Sequence, residues 1–128
     1  MNRPGTVKID KVVLECKDPE TLSGFYCKLL GWSKGYDTGD FIIIGSEGGN
    51  IDIGFQRNTD YSPPQWPDAD GGQQMLMHID FCVAADKHQE WVQYAIHCGA
   101  KKADFQASED WTVMLDPEGH PFCIDPAV

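Results

Sequence analysis

Long apolar runs are missing from this chain: the longest unbroken stretch is only a few residues, so no segment is built to span a membrane. The opening residues, MNRPGTVKID, also lack the apolar stretch of a secretory leader. Paired cysteine spacing is missing too. Cys16, Cys27, Cys82, Cys98 and Cys123 make an odd count without any C-x-x-C, which suits a reducing compartment better than a disulfide framework. The expected location is therefore the cytoplasm, with most thiols packed as small hydrophobes. Basic residues are scarce, ten against twenty acidic ones, for a formal net charge of −10. Six of the ten lie in residues 1–36; residues 37–72 hold one basic and seven acidic side chains, and 73–128 hold three and nine. Such a surface repels phosphate backbones, which excludes nucleic acid as the expected partner. It accommodates a neutral or cationic small molecule more readily, although acidity that serves only solubility is the competing explanation.

What is present is enough for one ordinary domain, or two small halves sharing a core: 128 residues, 41% apolar and 23% charged. A repeat organises it. KVVLECKDPETLSGFYCKLLGW (11–32) and HIDFCVAADKHQEWVQYAIHCGAK (78–101) share one plan of alternating strand, acidic helix start, amphipathic helix and glycine. Lys11 to Gly31 spans 20 positions and His78 to Gly99 spans 21. After each glycine, FIIIGSEGGNIDI and WTVMLDPEGHPFCI repeat a second plan of strand, glycine-ended turn and strand. Unit one is expected over about 7–57, a linker over about 58–74, and unit two over about 75–126.

The first helix is expected to start at an Asp18 cap with Pro19 in its first turn, to bury Leu22, Phe25, Tyr26, Leu29 and Leu30, and to stop at Gly31. The second is expected to start at Asp86, to bury Trp91, Ala95 and Cys98 with Val92 and Ile96 beside them, and to end at Gly99. Three prolines and two glycines in NTDYSPPQWPDADGGQQ exclude regular structure from the linker. Trp66 at its centre is either a lid or, more in keeping with a large aromatic, pinned against its own domain. Asp116-Pro117-Glu118-Gly119 matches a type I turn, so its acids are expected chiefly to reverse the chain, with His120 exposed at the exit.

Strand alternation sorts the faces. Val12, Leu14 and Cys16, like Ile79, Phe81 and Val83, are expected beneath the helices. Lys11, Val13 and Glu15, and likewise His78, Asp80 and Cys82, then face the other way. If two curved sheets pair edge to edge, that second face lines a concave cup.

These paired strand-helix-strand-strand-strand units, with GFYCKLLGW ending the first helix, MHIDFCV opening the second half and LDPEGHPFCI closing it, resemble the vicinal oxygen chelate superfamily of glyoxalases, bleomycin-resistance proteins and extradiol dioxygenases. The nearest likeness is to its small bacterial glyoxalase-like branch, and it covers about 7–125. The resemblance implies an α+β fold of two βαβββ units in a curved, cup-shaped mixed sheet with helices on the outer face. It also implies a homodimer, and one divalent metal held by the first and last strands of each unit.

Carried over position by position, the ligand set is incomplete. Lys11 offers no lone pair at neutral pH, and the last-strand position of unit one falls at Ile53 or Gly54, neither of which ligates. In unit two His78 fits, but Cys123 stands where a glutamate is usual. No cofactor is therefore expected, and no metal unless His78 and Cys123 take part in an atypical divalent site. The candidate ligand-binding residues are Lys11, Glu15, Gln56, Trp66, His78, Asp80, Trp111 and Cys123, with Arg57 beside them. The candidate catalytic residues are His78, Glu15 and Asp80, a carboxylate beside a histidine being a general-base arrangement. Three classes stay open: a metal-free small-molecule binder, an enzyme (lyase, isomerase or dioxygenase, by metal or by His/Glu acid–base chemistry), and a vestigial interaction module. The sequence reading favours the binder, with a small-molecule ligand, a homodimeric state and no nucleic-acid or membrane partner.

Overall fold

The computed structural model describes residues 1–6, 8–49 and 51–127. Unit one runs β1 (Lys11–Cys16), α1 (Pro19–Leu30), β2 (Ser33–Asp37), β3 (Phe41–Gly45) and β4 (Asp52–Arg57). Unit two runs β5 (Ile79–Val83), a single 3-10 turn (Ala85–Lys87), α2 (His88–Cys98), β6 (Lys101–Lys102), β7 (Thr112–Leu115) and β8 (Pro121–Pro126). The repeat is thus an α+β pair of βαβββ units. Each makes a four-stranded mixed sheet, ordered β1-β4-β3-β2 and β5-β8-β7-β6, in which the first strand lies parallel to the last. No described helix is long and apolar enough to cross a membrane.

α1 forms where the sequence specifies it. The Asp18 carboxylate accepts from the Thr21 amide at 3.3 Å, and Gly31 closes the helix at φ 69, a left-handed conformation that a side chain would resist. The stripe Leu22, Phe25, Tyr26 and Leu29 is buried, with Leu30 half-buried at its edge. α2 departs from expectation. Residues 85–87 form a 3-10 turn, so the helix starts at His88, and its buried stripe is Val92 and Ala95. Trp91 and Ile96 stay exposed at 37% and 41% because the narrow strip resting on the sheet holds only a small and a medium side chain. Trp91 instead packs edge-on against Tyr94 at the rim.

The alternation of the first strands holds except at Val12, which is half-buried at the start of β1 and outside the core cluster. Cys16 is fully buried, Leu14, Ile79, Phe81 and Val83 pack on the core, and Val13, Glu15, Asp80 and Cys82 are exposed on the opposite, open face. The core is shared by both units. The Tyr26 ring of α1 stacks on Phe55 of β4 at 5.6 Å and lies 6.2 Å from Phe122 of β8 and 6.4 Å from Phe81 of β5. The Tyr26 hydroxyl, buried with its ring, donates to Asp116 Oδ2 at 2.8 Å. That pairing removes the penalty of a bare polar group in the core, and burial with the adjacent carboxylate holds the phenol pKa well above its ordinary value.

The 116–119 turn does more than reverse the chain. Gly119 N donates to Asp116 O at 2.9 Å, as a turn requires. The Glu118 carboxylate also accepts from the Lys17 and Asp18 amides, both at 2.7 Å, tying unit two to the start of α1. His120, expected exposed, is not: its side chain is only 14% accessible, stacked on Tyr61 at 5.1 Å and bonded on both ring nitrogens. Alternation along the strand does not anticipate this, because the contacts come from β1 and the linker, far off in sequence.

Candidate functional site

Register fixes which side chains share the open face. In unit one Lys11 lies beside Asp52, Val13 beside Gly54 and Glu15 beside Gln56. In unit two Asp80 lies beside Cys123 and Cys82 beside Asp125. The last-strand position of unit one that answers Cys123 is therefore Gly54, while Ile53 points into the core at 4% exposure. A side chain at Gly54 would meet Phe41: an added Cβ falls 3.0 Å from Phe41 Cζ and 3.3 Å from Val13 Cγ2. Phe41 fills the place where a ligand atom would project. Lys11 pairs with Asp10.

Unit two gathers its polar groups. His78 Nε2 lies 3.1 Å from Asp80 Oδ1, and one donor atom each of His78, Asp80 and Cys123 falls within 4.8 Å of the others. His78 and Asp80 are exposed, and Cys123 is buried at 7%. Burial, followed by the charge of Asp80, pushes the Cys123 thiol up to about 12, so it stands as a neutral S–H at neutral pH. Asp125, two residues along the same face, was not anticipated, although the spacing Cys123, Asp125 already placed it there. Burial and then the Asp80 charge raise its pKa, while His78 acts in the opposite sense.

Trp66 reaches this face from the linker. It packs against the buried cluster of Ala103, Val113 and Cys123, and its Nε1 donates to the Phe105 carbonyl at 2.9 Å. It is thereby pinned against unit two.

The remaining candidates lie elsewhere. Glu15 is exposed on unit one and forms no ion pair or hydrogen bond through its carboxylate to His78 or Asp80; β1 and β5 belong to separate sheets. Within one chain β1 and β5 do not pair, so register does not bring Glu15 and Lys11 beside His78 and Asp80. Gln56 shares the unit-one face with Glu15. Arg57 is engaged at the rim, its Nε on Asp40 at 2.8 Å and Nη1 on the Lys17 carbonyl at 2.7 Å. Trp111, 40% exposed just before β7, joins neither the core nor the Cys123 cluster. A cavity of about 300 Å³ opens where β1 meets the linker, walled by Val13, Glu15, Tyr61, Met77 and His120.

The metal that the resemblance implies does not fit these residues as a four-position site. Two of its positions are an ion-paired ammonium and a glycine under Phe41, neither of which supplies a lone pair.

The sequence profile of a glyoxalase-like domain matches residues 11–124. No curated protein sequence matches the chain. Among solved structures, it is similar to a glyoxalase/bleomycin resistance protein/dioxygenase family enzyme from Burkholderia phytofirmans PsJN (TM-score 0.71, 21% identity, 95% of this chain and 100% of that one). It is similar also to a variant of the fosfomycin resistance protein FosX from Listeria monocytogenes, in complex with Mn(II) and a dihydroxypropylphosphonic acid (TM-score 0.72, 12% identity, covering 97% and 93%). A possible glyoxalase from Bacillus cereus is a third (TM-score 0.68, 13% identity, covering 94% and 99%). At these identities the likeness establishes the fold.

Proposed function

Because the chain belongs to the glyoxalase-like domain family, we propose that it is a small-molecule-binding member that works without that superfamily's usual metal, its ligand seated on the open face of unit two. The observation that carries this reading is Gly54 covered by Phe41, together with a Lys11 already paired with Asp10 on the neighbouring strand. Half of the usual ligand set is thereby replaced by groups that cannot donate a lone pair. What unit two offers in its place is acidic and aromatic: Asp80, Asp125 and His78 about Cys123, and the Trp66 ring on the apolar cluster to which Cys123 belongs. That combination favours a cationic or planar compound, held by charge at one end and by ring contact at the other. The net charge of −10 supports the same class by raising the local concentration of cations. Two copies are proposed to pair, bringing a second unit against the open face.

The test is elemental analysis of freshly purified protein, joined to a melting curve with and without chelator. Well below one equivalent of zinc, iron, nickel or manganese, and an unchanged melting temperature, are expected. Stoichiometric metal would overturn the reading. His78→Ala is expected to fold with stability within about 0.5 kcal/mol of wild type, since His78 is an exposed side chain, and to weaken binding of a planar organic cation used as probe.

One observation favours a second reading. His78 and Asp80 at 3.1 Å form an acid–base pair, and with Cys123 they supply three donors in one place. On that reading the protein is a lyase, isomerase or dioxygenase of the same superfamily, and a bound compound is consumed instead of recovered unchanged.

A further inference from the structure

His120 sits where the two units meet, and both of its ring nitrogens face oxygens that only accept. Nδ1 lies 2.8 Å from Asp116 Oδ2 and 3.0 Å from Oδ1, and Nε2 lies 2.7 Å from the backbone carbonyl of Glu15. A neutral imidazole carries one N–H and can serve only one of them. With the other nitrogen bare, a lone pair would face an oxygen lone pair at hydrogen-bond distance, within a side chain that is 14% accessible. Asp116 in turn is fully buried in its side chain. It accepts from Tyr26 of α1 and from the Glu118 and His120 amides of its own turn.

We propose that His120 is held as an imidazolium that latches β1 of unit one to the β7–β8 turn of unit two, making the docking of the units, and the cavity wall they share, sensitive to pH. This goes beyond the ligand reading above and does not depend on it. The carbonyl of Glu15 points away from β4, so His120 occupies part of the edge of β1 that no other strand among the described residues covers. The charged and titratable groups around it are Asp116 and Glu118 on its own turn, Tyr61 from the linker, Tyr26 from α1, and Glu15 and Cys16 from β1. Burial alone favours the neutral ring. The bond and charge of Asp116, then the Glu15 carbonyl and the Glu118 charge, outweigh it, and the His120 pKa is raised.

The sign follows. A histidine whose pKa is higher folded than unfolded contributes its full stabilisation below the unfolded value, about 6.5, and loses it as pH rises through the folded value. Asp116 retains the proton on Nδ1, so the contact released is the one to Glu15. Release loosens β1 from the turn and opens the cavity at the wall formed by Glu15, Tyr61 and His120.

Two-bond proton–nitrogen correlation spectra of nitrogen-15-labelled wild-type protein decide the protonation state directly, with the His120 ring assigned through its contact with Tyr61. Both ring nitrogens are expected to be protonated at about pH 7, with titration above the ordinary histidine value. A single neutral tautomer at that pH overturns the proposal. Urea midpoints of wild type and H120Q, measured across the same pH range, provide the second readout. The difference between them is expected to be largest at acidic pH and to shrink through the titration seen in the spectra. A pH-independent difference would mean that the ring is only a spacer, and would also overturn it. If H120Q does not fold, the wild-type spectra alone carry the decision.

Discussion

Phe122→Ala probes whether the two units form one cooperative structure. Phe122 is fully buried on β8, with ring centroids 6.0 Å from Phe25, 6.2 Å from Tyr26 and 5.8 Å from Phe81. Two of those neighbours belong to α1 of unit one and the third to β5 of unit two. Truncation removes an aromatic side chain from a closed site, for which about 3–5 kcal/mol is usual, the larger values arising where surroundings cannot collapse. Here they are rings anchored on two different elements, α1 and β5, so collapse is restricted and a loss of about 4 kcal/mol is expected. Against a total of roughly 5–15 kcal/mol for a domain of this size, that is a large fraction. At about 1.4 kcal/mol per factor of ten it amounts to nearly a thousandfold in the folding equilibrium. Urea unfolding measures the total. Native-state hydrogen exchange resolves it by unit, and the amides of β3 and β4 are the informative ones because Phe122 makes no ring contact there. With a single shared core, their protection falls by the same factor as that of β7 and β8. Unit-one amides that keep wild-type protection, or a stability loss below about 1 kcal/mol, would refute the shared-core argument.

Thiol reactivity tests whether Trp66, packed on the Ala103, Val113 and Cys123 cluster, shields the Cys123 sulfur: at about pH 8 a small alkylating reagent should modify exposed Cys82 quickly and leave Cys123, with its pKa near 12, unlabelled until Trp66→Ala loosens that cluster. Equal rates at the two cysteines in wild-type protein would show the shield to be absent. Glycine substitutions separate strain from propensity. Gly119→Ala puts a side chain at φ +88 with its Cβ 2.9 Å from Pro63 Cβ, and should lower the melting temperature by about 3–5 °C, corresponding to about 1 kcal/mol. Gly24→Ala in α1 meets no atom within 4 Å and should stabilise by about 0.5–1 kcal/mol; a loss there would refute the helix assignment at that position.

The fold was legible because its signals are local and occur twice. Asp18, Pro19 and Gly31 mark α1 by cap, first turn and stop, and Ile79, Phe81 and Val83 declare their face by alternation alone. α2 was less legible because its buried strip is narrow: Val92 and Ala95 suffice, and the larger Trp91 is left at the rim despite the stronger apolar signal. The candidate site divides along the same line. Asp80 and Cys123 come together because two parallel neighbours, β5 and β8, fix them by register, and His78 joins them from the residue just before β5. Within one chain Glu15 and Lys11 do not join them, because that would require β1 to pair with β5, and nothing local in either strand specifies such pairing.

His120 marks where local reading stops. Residue by residue, DPEGH is a turn with a histidine at its exit, and every local preference is satisfied by leaving the ring in water. The ring is drawn in by two features elsewhere in the chain: a carbonyl on an uncovered strand edge, and a carboxylate fixed in the core by Tyr26. A carboxylate buried for structural reasons, here Asp116 as the first residue of the turn, has to be neutralised or paired, and the nearest group able to pair with it lies four residues on. The turn's geometry and the core's electrostatics therefore select the same residue. The seam between the two units thereby acquires its ion pair without any further basic side chain, in a chain that has few to place there.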